Sequence, residues 1–184
     1  MGTLIYTVNT SLDGYVNDAS GNFDFTAPSE GVHAFINDLE REVGLYLYGR
    51  RLYDTMSYWE TEPPDDEGAI PGDYRRIWQA ARKIVYSSTL DAVATENTEI
   101  QRVFDPEAVA ELVGRSDTDV SIGGAHLAAH ALRARLVGEI RMFVNPAIVG
   151  DGTRALPDGL TEPLELLDEK RFASGAVYLR YAVG

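Results

Sequence analysis

The sequence contains no cysteine, which removes disulfide frameworks, thiolate metal sites and cysteine nucleophiles from its chemistry. Positive charge is also scarce. With 16 basic against 29 acidic side chains, the formal net charge is −13, and such a field repels polyanions, arguing against nucleic-acid or anionic-membrane partners. A small anion would need positive groups gathered locally. No apolar run approaches membrane-spanning length, and the opening MGTLIYTVNTSLDG has no basic flank and turns polar at Asn9, unlike a span or a signal peptide. A cytoplasmic location is therefore expected. Internal repeats, low-complexity tracts, heptad runs, evident linkers and a G-x-S-x-G elbow are lacking too, the last of which removes support for a serine hydrolase.

What is present is the material of a packed globule. Hydrophobic residues make up 45% and charged ones 24%, a balance suited to a solvated fold with a real core. At 184 residues the chain fits one domain, residues 1–184, because domains typically hold about 100 to 150 residues.

Apolar periodicity predicts alternating strands and helices. Thr3 to Val8 reads as a first strand, followed by a long polar segment from Asn9 to Pro28 of the kind that forms lids or binding loops. Val32, Phe35, Ile36, Leu39 and Val43 keep helical spacing after Ser29, with Gly44 as the stop. Leu45 to Tyr48 is a short strand closing at Gly49, and RRLYDTMSYW a short helix. Pro63 to Gly72 reads as an exposed excursion, Tyr74 to Ala81 as a helix, Lys83 to Tyr86 and Thr98 to Phe104 as strands. Asp105 caps a helix through Val113, with Pro106 at its first position and Gly114 as its stop. Val120 to Ile122 is a strand, Ala125 to Leu136 a helix, and Ile140 to Val149 a long strand with Pro146 marking a bulge or an edge. LELLDEKRFASGAVYLRYAVG reads as two strands joined across Ala173 to Gly175. The pattern predicts an α/β sandwich with an antiparallel C-terminal edge.

Several strand ends carry groups that suit an anion. Gly123 and Gly124 stand between a strand and a helix, where they allow a positive φ and open the helix N-terminus to a phosphate, or simply permit close strand–helix packing. Gly49, Arg50 and Arg51 end another strand, where the arginine fork suits phosphate or the pair is simply solvated at the surface. Ser87 and Ser88 end a third and would serve a phosphate, a ribose or a turn. Open α/β sheets bind ligands beyond the carboxyl ends of their strands, so the conjunction outweighs its parts.

Other candidates are weaker. Gly150-Asp151-Gly152-Thr153-Arg154-Ala155 matches a dinucleotide glycine pattern, yet Pro157, Asp158 and Gly159 follow where a helix should begin, so it reads as a loop. Asp13-Gly14 is a favoured hairpin turn, and its carboxylate would alternatively bind or protonate a polar heterocycle. His126 and His130 are four apart, but the residues between them are Leu-Ala-Ala and no carboxylate completes a set, so no metal is expected. The aromatics Phe23, Phe25, Tyr53, Tyr58 and Trp59 serve either as core or as walls for a flat ligand.

Taken in order, SLDGYV, NFDF, LYGRRLYD, KIVYSS, SIGGAHL and EIRMFVNPAIVGDGTRAL resemble the dihydrofolate reductase-like superfamily, in the stand-alone form of the RibD C-terminal reductase of riboflavin biosynthesis. The resemblance implies a three-layer α/β sandwich, a mostly parallel central sheet with an antiparallel C-terminal edge, and NADPH bound across the strand ends. It places the pyrophosphate at Gly123 and Gly124 with Ala125, His126 and Leu127 beside them, the adenosine 2′-phosphate at Arg50 with Gly49 and Arg51 beside it in the cofactor site, and the adenosine side at Ser87 with Ser88. Asp13 in SLDG matches the riboflavin-type branch and is the candidate catalytic residue. Two departures stand out: Leu52 replaces the usual threonine two residues after the arginine, and neither Glu30 nor Asp38 matches the acidic residue of folate reductases. The implied activity is hydride transfer from NADPH to a small heterocyclic or carbonyl compound, ribosylaminopyrimidine- or pterin-like, by a homodimer. The alternative is a non-catalytic nucleotide or small-molecule binder on the same fold.

Overall fold

The computed structural model describes residues 2–62 and 68–184. Its first strand, β1 (Leu4–Ser11), outruns the expected Thr3 to Val8. Polar Thr10 and Ser11 continue it because they pair in parallel with the last residues of β7 (Glu139–Asn145). Between these two come β2 (Tyr15–Asp18), β3 (Val43–Gly49), β4 (Arg82–Tyr86), β5 (Thr98–Gln101) and β6 (Asp119–Gly123), and after them β8 (Gly152–Arg154), β9 (Leu164–Arg171) and β10 (Val177–Val183). Eight strands form one sheet in the order β5-β4-β3-β6-β1-β7-β10-β9, parallel as far as β7 and antiparallel at β10 and β9. A mostly parallel sheet with an antiparallel C-terminal edge is the arrangement expected from the sequence.

Helices cover both faces because successive strand residues point to opposite sides. Leu45 and Leu47 of β3 meet α5 (Pro106–Gly114) and α6 (Ala125–Arg133) through Val109, Leu127, Ala128 and Leu132. On the other side, Tyr46 and Tyr48 meet α2 (Arg50–Met56) and α4 (Ala69–Ala80) through Tyr53, Tyr74 and Trp78. Farther along that face α1 (Glu30–Glu40) lays Val32 and Phe35 on Phe143, Phe172 and Tyr178. A short helix, α3 (Tyr58–Thr61), follows α2. Buried Lys83 closes α4: its ammonium donates to the carbonyls of Trp78 at 3.0 Å and Ala81 at 2.9 Å, satisfying groups that a helix end leaves free. Burial pulls that ammonium below its ordinary value, against the pull of Glu60.

Several boundaries differ from the sequence reading. α1 ends at Glu40, and Val43 with Gly44 already belongs to β3. A Cβ on Gly44 would stand 2.2 Å from Thr118 Oγ1, so this glycine permits close strand contact rather than stopping a helix. Of the excursion expected over Pro63 to Gly72, residues 63–67 lie outside the described residues, while Pro71 and Gly72 belong to the first turn of α4. Proline is tolerated there because the first N–H groups of a helix have no intrahelical acceptor. The segment after Thr98 leaves the sheet at Gln101, short of Phe104, and α6 stops at Arg133, short of Leu136. β7 ends at Asn145, before Pro146, and lies inside the sheet between β1 and β10 rather than at an edge. The Asp13-Gly14 hairpin does not form: β2 pairs with β8 instead of β1. With a 3-10 turn at Asp24–Thr26, β2 gives internal structure to the segment expected as one long loop.

Candidate functional site

β4, β3 and β6 are neighbours, and their carboxyl ends are in register: Tyr86 pairs with Gly49, and Tyr48 with Gly123. The sheet therefore brings Ser87, Gly49-Arg50 and Gly123-Gly124 to one edge. Gly124 is the N-cap of α6 at φ +92°, and no side chain caps the helix start. The first-turn N–H groups of Ala125, His126 and Leu127 thus face outward without a side-chain acceptor, as an anion-binding helix start requires. A Cβ at Gly124 would come within 3.6 Å of the Gly49 nitrogen, so the turns after β3 and β6 nearly touch.

The two glycines have separate duties. Gly123 is buried, and a Cβ there would strike Leu52 Cδ2 at 2.4 Å and the Tyr48 ring at 3.2 Å. It is a packing glycine. Gly124 has the backbone conformation that favours glycine and is partly open to solvent, which is the geometry of a phosphate cradle. Leu52, the departure noted in the sequence, packs its side chain against this glycine pair.

Arg50 opens α2 immediately after Gly49. Its Nε donates to both carboxylate oxygens of Asp54, at 2.9 and 2.8 Å. This pair is about half exposed and hence worth little in stability, yet it fixes the guanidinium plane and leaves its terminal nitrogens for another acceptor. Arg51 is exposed, with no acidic partner among the described residues. Ser87 serves a turn: its buried hydroxyl accepts from the N–H groups of Leu90 at 3.0 Å and Thr89 at 3.3 Å, while Ser88 is exposed. Arg102, which the sequence reading missed, fastens the same turn by donating Nη1 to the carbonyls of Leu90 at 2.7 Å and Ser87 at 3.1 Å. Its position just past β5 was the available signal.

Asp13 lies one strand away, beyond the end of β1. Its carboxylate accepts from the N–H groups of Gly150 at 2.8 Å and Val149 at 3.2 Å. The Ser11 hydroxyl and those two N–H groups hold it below the ordinary carboxylate value against partial desolvation. It is thus a poor proton donor and a good anchor.

The remaining candidates separate cleanly. Gly150 serves Asp13, and Gly152 belongs to β8, where a Cβ would stand 1.9 Å from the Asn17 carbonyl oxygen; no helix follows, in keeping with the loop reading. Among the described residues, no group of three or more His, Asp or Glu side chains gathers as a metal site. Tyr53 is buried, with its hydroxyl accepting from Ala94 N and 3.1 Å from Thr95 Oγ1, and Trp59 packs 4.8 Å from Tyr74. These two belong to the core, whereas Phe23 and Tyr58 are 47% and 45% exposed.

Comparison with known proteins agrees with this architecture. The chain is 25% identical to the uncharacterized protein YyaP of Bacillus subtilis (strain 168), across 97% of this chain and 93% of that one. A putative riboflavin biosynthesis protein from Shewanella sp. PV-4 superposes with a TM-score of 0.78 at 17% identity, covering 99% of both chains. Dihydrofolate reductase from Enterococcus faecalis, complexed with NADP(H), superposes with a TM-score of 0.64 at 12% identity, covering 100% of this chain and 97% of that one. Residues 2–178 match the RibD C-terminal domain, and the chain belongs to that family.

Proposed function

We propose that this protein is an NADPH-dependent reductase. The observation that carries the reading is the uncapped α6 start at Gly124, packed so closely on the Gly49-Arg50 turn that a Cβ on Gly124 would stand 3.6 Å from the Gly49 nitrogen, a donor set that fits a bridging diphosphate beside a further phosphate. Gly123 and Gly124 with the N–H groups of Ala125, His126 and Leu127 hold the diphosphate, Arg50 and Arg51 the 2′-phosphate, and Ser87 and Ser88 the adenosine side. When bound, NADPH supplies a hydride from C4 of its nicotinamide. The acceptor is a small heterocycle or carbonyl compound of ribosylaminopyrimidine or pterin type. Asp13 stays ionised and orients it while holding the segment that contains Val149 and Gly150.

A second reading, a binder without turnover, draws on Leu52 against the glycine pair and on an Asp13 carboxylate already engaged by backbone. NADPH titration followed by a screen of NADPH oxidation with pyrimidine and pterin acceptors separates the two. Saturable binding with turnover supports the reductase, binding alone supports the second reading, and no binding at millimolar cofactor defeats both. Asp13→Asn is expected to lower turnover while leaving NADPH affinity unchanged; a loss confined to cofactor affinity would remove Asp13 from the substrate side.

The reading extends to a cytoplasmic protein of one domain that works as a homodimer. All eight residues of the edge strand β9 are exposed, including Leu164 at 44%, Leu166 at 49% and Leu167 at 47%, and an uncovered edge of this kind invites pairing. Sedimentation should give twice the chain mass, and Leu166→Lys should return it to one chain; a wild-type monomer at micromolar concentration would rule the dimer out.

A further inference from the structure

Tyr6 stands in the middle of β1, and strand alternation turns it with Leu4 and Val8 into the layer of α5 and α6. It is 1% exposed. A phenol buried that deeply needs a hydrogen-bond partner, and the Tyr6 hydroxyl finds one 149 residues along the chain, donating to the Ala155 carbonyl at 2.8 Å. Burial pushes the phenol well above its ordinary value, so near neutral pH the group stays a donor.

Ala155 is itself buried, directly after β8, and its N–H donates to the Gly14 carbonyl at 2.9 Å. Gly14, at φ +87°, closes the turn that contains Asp13 by donating its own N–H to the Ser11 carbonyl at 3.0 Å. The segments after β1 and β7 are laced at three further points: Leu12 N–H to the Ala147 carbonyl at 2.7 Å, Thr153 N–H to Asn17 Oδ1 at 3.0 Å, and Gly150 N–H to the Asp13 carboxylate at 2.8 Å. Those bonds join the two segments to each other. The Tyr6 hydrogen bond joins the pair to the core. A shift of Ala155 would move both the Gly14 carbonyl that it holds and the Gly150 donor farther back on its own segment.

Building on the reading in which Asp13 orients the acceptor, we infer that Tyr6 is a positioning residue: its hydroxyl, acting through Ala155 and Gly14, fixes where the Asp13 carboxylate stands, without touching acceptor or cofactor. Such placement matters to hydride transfer, because a displacement of about 1 Å at the reacting groups costs about 100-fold in rate.

The test is Tyr6→Phe in the full chain, which keeps the ring in the core and removes the hydroxyl alone. Carbon-13 NMR follows the Asp13 carboxyl, its signal assigned by its loss in Asp13→Asn. The titration midpoint should move up toward the ordinary aspartate value: the Ser11 hydroxyl stays, but the Gly150 and Val149 N–H groups that help it hold the carboxyl down lose their fixed place. Tyr48→Phe removes another buried hydroxyl, one that accepts from Trp78 Nε1 at 3.1 Å in the opposite layer, and should leave that midpoint alone. Equal shifts in both variants would reduce the Tyr6 effect to lost stability and overturn the inference. With an acceptor found in the screen above, Tyr6→Phe should lower kcat roughly 10- to 100-fold at unchanged NADPH affinity, and change nothing further beside Asp13→Asn. An unmoved Asp13 midpoint, or a kcat loss that persists in full beside Asp13→Asn, would also overturn it. Amide exchange in the wild type needs no variant: Ala155 N–H should open only with the core, and easy local opening there would break the chain of contacts. The two readings fail separately, since full turnover in Asp13→Asn removes the role of Asp13 and leaves the NMR titration to decide the link from Tyr6.

Discussion

Replacing Arg50 with alanine should weaken NADPH binding roughly 10- to 100-fold, since a hydrogen bond to a charged group contributes about 1.5–3 kcal/mol and each 1.4 kcal/mol is tenfold. NADH binding should be unchanged. The contrast follows from geometry: Nε of Arg50 is committed to Asp54, so only the terminal nitrogens meet a ligand, and the group that NADPH has and NADH lacks is the 2′-phosphate. Arg50→Lys should recover part of the loss, because it restores charge without the planar fork. Neither substitution should lower thermal stability appreciably, given that the Arg50–Asp54 pair is about half exposed and exposed pairs contribute little. Fluorescence titration with both cofactors settles the matter. Equal losses for NADPH and NADH would place Arg50 at the diphosphate, and no loss for either would remove it from the site.

How much of this was legible in the sequence depended on how local the determining contact was. The Asp105-Pro106 start of α5 was readable because cap and helix are consecutive, and Asp105 does accept from Glu107 N at 3.0 Å. The strand ends at Gly49, Ser87 and Gly123 were readable as separate punctuation, but only the sheet order β4-β3-β6 makes them neighbours. Gly44 misled because its reason is Thr118, far along the chain. Pro71 misled because a proline that breaks a helix interior is harmless in its first turn. Leu52 looked like a lost hydroxyl, and the fold shows it filling the space left by Gly123. Asp13-Gly14 carried a turn signal, yet the partner of β2 lies at Gly152–Arg154, and no local pattern announces a partner that distant.

The same rule hid a buried charge cluster between β7 and β10. Glu139 on β7 accepts from Arg141 Nε at 2.6 Å and from Arg180 Nη2 of β10 at 2.7 Å, and the side chains of Glu139 and Arg141 are only 8% and 3% exposed. Burial pushes the Glu139 carboxyl up, but hydrogen bonds from Arg180 and Arg141 outweigh it and leave the carboxyl below its ordinary value. Glu139→Gln should therefore cost about 3–5 kcal/mol, the penalty for breaking a buried pair and leaving a charge unmatched. Arg141 would lose the acceptor of its Nε while its Nη1 is already without a hydrogen-bond partner, as is Arg180 Nε. Removing both charges, in Glu139→Gln with Arg141→Met, should be milder than the single change.

The acid limb carries a sign that a purely steric effect would lack. A carboxyl with a depressed folded value contributes stability that is present above its unfolded value, about 4.3, and lost as pH falls through the folded value. Glu40, on the underside of α1, works in the opposite sense: burial raises its carboxyl, against the nearby Tyr46 hydroxyl and the charge of Arg141, so its contribution is lost as pH rises through the folded value. Denaturant titrations of the wild type across the acid range should show stability falling as Glu139 takes up its proton, and Glu139→Gln should flatten that fall while lowering the neutral plateau. A variant that lost stability equally at every pH would mean that packing, and not the carboxylate between two arginines, holds β7 to β10.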